Sequence, residues 1–507
     1  MSTTNLTEIS PPAEDTQRKR VFIETFGCQM NILDSELVTD QLSSLGYSFV
    51  PAPEDADVVL YNTCSVRELS EQKVLSRLGV MQKRKQHKPD LIVGMLGCMA
   101  ERAGKELASR LPHLDLMCGP SELDQLPALL ENLHVQQGEK RVSQLALSGH
   151  NARRSRTQDA AMDRLEALDQ GRLVDPDTSS RQAYVRITRG CNKFCSFCIV
   201  PMTRGPEVHR SPDAIVDEVR KLADSGAVEV TLLGQTINHY FHGESDTSFA
   251  ELLRRVHDEV PQLPRLRFLT SYPRDFTDET LDVMASSERI CRFLHIPAQS
   301  GSDTMLKAMN RGYTREQYLG LIRRARERMP DVSIVGDMIV GFPGETEEDF
   351  QLSLSLLEEV RFKGVFVFKY STRPGTVASK KFEDDLPDAV KKDRNQRMLE
   401  LQQSISKSHH EAMVGQDVEV LVEGAAKIDP RVRNVPRDHG GLVQIGRKAL
   451  PVEPAGSESI RLTSRTRGDH IVAFDGPADL VGGMAKVRIE TATGLSLTGK
   501  LLEDTES

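Results

Sequence analysis

The chain reads as an α/β protein in three successive units: an open α/β domain, a (β/α)6 partial barrel and a small C-terminal β-barrel. Three observations predict this. Three β-branched, strand-length apolar runs near the start are each followed by a helical pattern and each end in a cysteine. Six further strand-like runs then alternate with helical patterns over residues 181–405. From about residue 411 the helical spacing gives way to short strands separated by glycine-rich turns.

The 507 residues suffice for about three domains of ordinary size. Residues 1–19 are polar and carry Pro11-Pro12, which reads as a disordered lead and not as a signal peptide. No apolar run reaches the ~18 residues of a membrane span, so no membrane association is expected. The first domain is set at 20–136. Its strands are Val21–Phe26, Val58–Tyr61 and Leu91–Leu96, and the cysteines that close them are Cys28, Cys64 and Cys98. Ligands in parallel α/β sheets sit beyond the carboxyl ends of the strands, so three such loops would bring three thiolates to one point. Cys118 and Cys291 have no matching partners and read as packing residues.

Residues 137–176 are charged, lack aromatics and read as a linker with a short helix near Ala160–Leu168. The core, 177–410, has candidate strands Tyr184–Thr188, Glu229–Leu233, Leu266–Thr270, Arg292–Ile296, Ser333–Val340 and Val365–Tyr370. Pro212–Ser225 and Arg315–Arg328 are among the helices between them. The last unit, 411–505, has strands Val418–Val422, Ile471–Phe474, Ala485–Ile489 and Leu497–Leu502, with a loop insertion near 429–457.

After the first core strand the sequence runs Cys191-Asn-Lys-Phe-Cys195-Ser-Phe197-Cys198, with no fourth cysteine. Three thiolates leave one metal position open. A cubane iron–sulfur cluster held this way exposes one iron, and a zinc held by three thiolates is also short of a ligand unless a distant residue such as His209 supplies it. A disulfide or redox group is a further reading. Eight cysteines in so long a chain do not make a disulfide scaffold and point to a reducing compartment. The net charge of −9 argues against a nucleic-acid partner at face value. Locally the balance reverses: residues 427–467 hold nine Lys/Arg against four Asp/Glu, and Arg181, Arg186, Arg189, Lys193, Arg204 and Arg210 surround the cysteine loop. Lys83-Arg84-Lys85-Gln86-His87-Lys88 forms a third basic run, so an anionic polymer remains plausible.

The Cys191/Cys195/Cys198 segment resembles the signature of radical S-adenosylmethionine (SAM) enzymes. The order of three-cysteine domain, radical SAM barrel and TRAM-like barrel resembles the methylthiotransferase family, over nearly the whole chain past residue 20. Thr25–Asn31, Asn62–Arg67 and Gly97–Arg102 look most like its tRNA-modifying branch, with Gln29-Met30-Asn31 as the branch marker.

This resemblance implies two [4Fe–4S] clusters, one on Cys191, Cys195 and Cys198 and one on Cys28, Cys64 and Cys98, with SAM as second cofactor. It implies radical activation of adenine C2 at the first cluster, sulfur from the second and a methyl group from another SAM. The implied substrate is N6-isopentenyladenosine next to the anticodon of tRNA. An electron donor such as flavodoxin or ferredoxin, a monomer and a cytoplasmic location are expected with it.

For SAM itself, Gln235 stands where the family meets the methionine amine, in place of a more usual glutamate, and Asp337 lies where the adenosine half is met. Phe197 and Ser300 complete the expected pocket, and Ser464 stands in the last domain where glycine is typical. The rival readings are a sibling enzyme acting on threonylcarbamoyladenosine in tRNA or on a ribosomal protein, and a non-catalytic zinc protein that binds RNA.

Overall fold

The computed structural model describes residues 19–65, 68–135, 143–148, 165–172, 181–426 and 459–502. Residues 1–18 of the expected N-terminal lead, residues 149–164 of the expected linker and the 429–457 insertion lie outside them.

The first unit is a six-stranded, all-parallel sheet. Its spatial order is Ser48–Phe49, Arg20–Phe26, Val58–Thr63, Ile92–Gly97, Leu116–Cys118 and Gln144–Ala146. Strands Val58–Thr63 and Ile92–Gly97 are buried along their whole length. That explains why they read as continuous apolar runs, since helices cover both faces of such a sheet. Separate apolar clusters fill the two sides, one around Leu42, Leu60 and Leu130, the other around Tyr61, Met95 and Met117. Sequence reading missed the three short strands, two of them at the sheet edges, because two or three residues give no periodicity. One of these, Gln144–Ala146, falls in the stretch read as linker, and residues 165–170 there are helical.

In the core, Gln182–Arg186, Glu229–Leu233 and Arg265–Phe268 pair in parallel, as do Phe293–His295, Ser333–Val340 and Gly364–Lys369. A parallel bridge between Leu266 and Ile290 joins the two triplets into one arc in chain order. Helices Pro212–Asp224, Phe249–Glu259, Asp278–Ser286, Arg315–Arg328 and Glu347–Val360 occupy the crossovers. This is the (β/α)6 partial barrel, with a single large apolar core.

Helix Asp388–Glu411 packs on the last strand and leads to a closed barrel of five strands: Asp417–Ala425, Ile460–Thr466, Ile471–Gly476, Leu497–Leu501 and Met484–Ala492. It fits the TRAM-like expectation. Ile460–Thr466 is the strand not anticipated; its alternating, Arg-rich sequence was read as charge. Ser464, at the position where glycine was expected, is fully buried, and its hydroxyl donates to the Val472 carbonyl at 2.8 Å. The barrel docks on the amino ends of the core strands: Arg265 donates to the carbonyls of Arg465 (3.1 Å) and Thr466 (2.8 Å). Among the described residues no helix is long and apolar enough to cross a membrane.

Candidate active site

The first cysteine triad is assembled by sheet register. Phe26, Thr63 and Gly97 lie in one row across three neighbouring strands, and Cys28, Cys64 and Cys98 follow that row by two, one and one residues. The Cys64 N–H donates to the Phe26 carbonyl at 2.9 Å, which locks two of the loops together. Asn31 and Asn62 lock them again: Asn31 Nδ2 donates to Asn62 Oδ1 (2.9 Å), and Asn62 Nδ2 donates to the Asn31 carbonyl (2.9 Å). Gly97 has φ +90, and a Cβ there would meet Asn62 Oδ1 at 2.4 Å, so only glycine lets the third loop turn into Cys98. Cys28 caps the helix Gln29–Ser44, and Cys98 opens the helix Cys98–Arg110. Helix N-termini favour thiolates. A hydrogen bond with Cys64, opposed by burial and helped by Arg204, lowers the Cys28 thiol to about 6. Burial pushes Cys98 up, against the charge of Arg204.

The second triad lies on one loop after strand Gln182–Arg186. Gly190 (φ +72) sets its entry, since a Cβ would sit 2.0 Å from the Pro206 carbonyl oxygen, and Phe194 takes the left-handed φ of 49° between the first two cysteines. Phe197 packs on the barrel core and on the cluster of Met305, Met309 and Phe342, which seats the loop. Arg311 is buried and donates from Nη1 to Cys195 Sγ at 3.2 Å. Burial raises Cys191 to about 11 and Cys198 to about 12. Thiols this reluctant to ionise need a bound cation to become ligands.

Both triads lie at the same junction. Helix Cys98–Arg110 packs against the short helix Val200–Thr203, which begins two residues after Cys198. Arg204, at the end of that short helix, is buried and donates to Asp34 Oδ2 at 2.9 Å. Burial works against its charge, but Cys98, Asp34 and Cys28 hold it protonated. Asp34 also accepts from Arg186 (2.8 Å), which in turn pairs with Asp169 at 2.5 Å; Asp169 also pairs with Arg189 (2.8 Å), while Arg210 pairs with Glu218 and Glu166 (2.7 Å each). This corrects one sequence expectation: Arg186, Arg189, Arg204 and Arg210 do not form a surface for an anionic polymer. They are buried and neutralised by acidic partners that lie 8 to 170 residues away in the chain. In the Lys83–Lys88 run, Lys85 and Lys88 are likewise paired, with Asp115 and with Asp57 (2.7 Å).

Each triad offers three free cysteines and one open position, a donor set that suits a cubane with one exposed iron.

The carboxyl ends of the core strands also carry buried polar atoms that lack a partner: Gln235 Oε1, Ser271 Oγ and Gln299 Oε1. Thr270 and Gln299 are held at φ 69°, a strained conformation for such residues and one that gathers at ligand sites. A polar ligand such as SAM would satisfy these atoms. Of the residues expected there, Gln235 is the one with a buried acceptor that lacks a partner. Asp337 lies 3.4 Å from His295 Nε2. Ser300 is buried, with its hydroxyl accepting from the Ser302 N–H and 3.3 Å from Ser353, so it shapes the strand end. Sequence reading missed Asp34, Arg204 and Arg311 as site-building residues, and held Asn31 and Asn62 only as parts of family motifs. Asn62 carried a faint signal as a polar residue ending an otherwise apolar strand.

Fold and site together define a radical SAM enzyme, with [4Fe–4S] and SAM as cofactors. Residues 185–357 match the radical SAM superfamily, and residues 20–119 match an uncharacterized protein family, UPF0004. The chain is 41% identical over 485 residues to the tRNA-2-methylthio-N(6)-dimethylallyladenosine synthase of Rhodopirellula baltica, covering 95% of each chain. It is 40% identical to the synthase of the same name from Syntrophotalea carbinolica, covering 94% of this chain and 98% of that one. Among solved structures, the radical SAM methyltransferase TsrM of Kitasatospora setae superposes with a TM-score of 0.50 at 17% identity, over 71% of this chain and 75% of that one, a likeness of fold alone. The chain belongs to the methylthiotransferase family of radical SAM enzymes.

Proposed function

We propose that this enzyme converts N6-isopentenyladenosine to its 2-methylthio derivative next to the anticodon of tRNA. The observation that carries the reading is the meeting of two three-cysteine sites at one domain junction, with Arg204 reaching from the loop of one to Cys98 of the other. Its relatives' names supply the substrate.

In this reading Cys191, Cys195 and Cys198 hold the cluster that meets SAM, and Cys28, Cys64 and Cys98 hold the cluster that provides sulfur. When bound, these groups supply one-electron chemistry at an aromatic C2–H that acid–base side chains cannot activate. The protein's own residues prepare the site. Arg311 donates to Cys195 and so withdraws electron density from that thiolate, favouring reduction. Gln235 offers a neutral acceptor to the amine of SAM, and Asp337 lies on the adenosine side. Arg204 and Asp34 fix the separation of the two sites. The three units take separate roles in this reading: the sulfur site on the first domain, whose sheet runs past the expected limit of 136 to Gln144–Ala146, the radical site on 177–410 and the RNA-holding barrel on 411–505. The barrel sits at the amino ends of strands whose carboxyl ends face the cysteines, so one RNA touching both must span at least ~17 Å, the length of a five-residue strand. An anticodon arm does so.

Nucleoside analysis of tRNA from a deletion strain tests the proposal. Loss of the 2-methylthio group with the isopentenyl group retained is the expected result. An unchanged nucleoside profile would move the activity to another substrate.

A further inference from the structure

Beside the Cys191 loop lies a second group of metal-ligating side chains that the reading above does not use. Glu207 precedes and His209 ends a short strand, Val208–His209, which pairs antiparallel with Thr188–Arg189. Two residues apart on extended backbone, they point to the same side. His239 ends the single-turn helix Ile237–His239 beyond strand Glu229–Leu233. One ligand atom from each of the three lies within 4.8 Å of the other two, the only such group of His, Cys, Asp or Glu among the described residues.

We propose that Glu207, His209 and His239 form a binding site for a divalent transition-metal ion, zinc in first place, separate from both cysteine triads.

The bland alternative is a hydrogen-bonded Glu–His pair. It accounts for half of the geometry: Glu207 Oε2 lies 2.7 Å from His239 Nδ1, and Glu207 Oε1 accepts from Thr236 Oγ1 at 2.6 Å. It does not account for His209. The Nδ1 of that ring is buried without a hydrogen-bond partner, while the ring stands beside His239 (6.2 Å between centroids) and edge-on to Tyr240 (5.4 Å). A buried imidazole nitrogen left unpaired next to a carboxylate and a second imidazole is the situation a metal ion resolves.

The chemistry of the donor set points the same way. Two imidazoles and one carboxylate suit zinc and its neighbours and are poor partners for magnesium or calcium. Zinc outranks iron(II) for such ligands. The Glu207 side chain is only 1% exposed and supplies a buried negative charge, while His239, at 43%, faces solvent and leaves a path of entry. Ligands at ~2.05 Å from a tetrahedral ion stand about 3.3 Å apart. The 2.7 Å Glu207–His239 contact would open slightly and the wider contacts close. Thr236 already orients the carboxylate from behind, the support that metal-bound carboxylates usually have. The nearby ammonium of Lys193 is paired with Asp275 at 2.5 Å, which moderates its repulsion of a dication. Three protein donors leave a fourth position for water or for a nitrogen or oxygen of an incoming ligand. The Glu207 N–H donates to Asn192 Oδ1 at 3.2 Å, which places this group beside the Cys191 loop.

The test uses the full-length holoenzyme, reconstituted anaerobically with iron and sulfide, exposed to one equivalent of zinc chloride and desalted. Elemental analysis should find about one zinc per chain with iron unchanged. X-ray absorption at the zinc edge should show only nitrogen and oxygen neighbours near ~2.0 Å, without the sulfur shell at ~2.3 Å that a cysteine site would give. His209→Asn and His239→Ala should each lose the zinc and keep the iron, whereas His242→Ala, a neighbour outside the group, should keep both. Wild-type protein that retains no zinc, zinc with a sulfur shell, or full zinc in both variants would overturn the site. The wild-type absorption spectrum decides even where a variant fails to fold. Because iron is counted separately, loss of the clusters and loss of this site are distinguishable.

Discussion

The two cysteine triads reach similar ends by opposite routes. Cys191, Cys195 and Cys198 sit on one loop eight residues long, and the local backbone fixes their spacing. Cys28, Cys64 and Cys98 come from three strand ends, and only the parallel register of Phe26, Thr63 and Gly97 brings them together. The first arrangement tolerates distant changes in the fold. The second depends on the sheet, on the Asn31–Asn62 pair and on Arg204 reaching in from the neighbouring domain. The loop triad also carries its own buried cation, Arg311, whereas the sheet triad borrows one across the junction.

The largest effect should separate the roles of the two sites. Cys195→Ala is expected to abolish 5′-deoxyadenosine formation from SAM. Cys64→Ala should leave that reaction measurable while ending methylthio product, and each should lower the iron content by about four per chain. Product from Cys64→Ala protein, followed by mass spectrometry of nucleosides, would break the comparison.

Next comes the network that joins the two domains. Asp34→Ala removes the acceptor shared by Arg186 and Arg204 and leaves two buried guanidinium groups short of a partner. A loss of about 3–5 kcal/mol in denaturant unfolding is expected, since breaking a buried pair strands its charge. A loss below ~1 kcal/mol, the size of a surface pair, would show that the junction is wet and the arginines are not held as described.

Arg311→Met should act on the loop triad alone. Removing a donor to a cluster thiolate makes reduction harder, so the potential of that cluster should fall and SAM cleavage should drop by about 10- to 100-fold. Spectroscopic titration of the cluster checks the direction, and an unchanged potential would confine Arg311 to packing against Tyr272 and Tyr313.

The smallest effect is expected at Lys193→Met, which removes a half-buried tether of the cysteine loop to Asp275 and to the Tyr272 ring. About 1 kcal/mol of stability should go, with the sheet triad and its iron untouched in the same protein. A change in the sheet triad's spectrum would show that the two sites are less independent than their construction suggests.

Much of this was legible in the chain. Glu229–Leu233, Ser333–Val340 and Arg315–Arg328 were read to the residue, because each is a continuous or strongly periodic segment with clear ends. The short strands Ser48–Phe49, Leu116–Cys118 and Gln144–Ala146 were not, since their pairing depends on the sheet already present.

The six cysteines and their grouping were fixed by the sequence itself: the spacing on one loop is local, and the repeated strand–cysteine pattern carries over directly into a parallel sheet. The surroundings of the thiols were decided by tertiary structure. Arg186 and Arg204 look like surface charge in the chain, yet their partner Asp34 lies 152 and 170 residues away. No local signal tells a guanidinium whether it will meet water or a buried carboxylate. Only the docking of the first domain on the second settles that, because desolvation makes a buried charge tolerable only when its partner arrives with it.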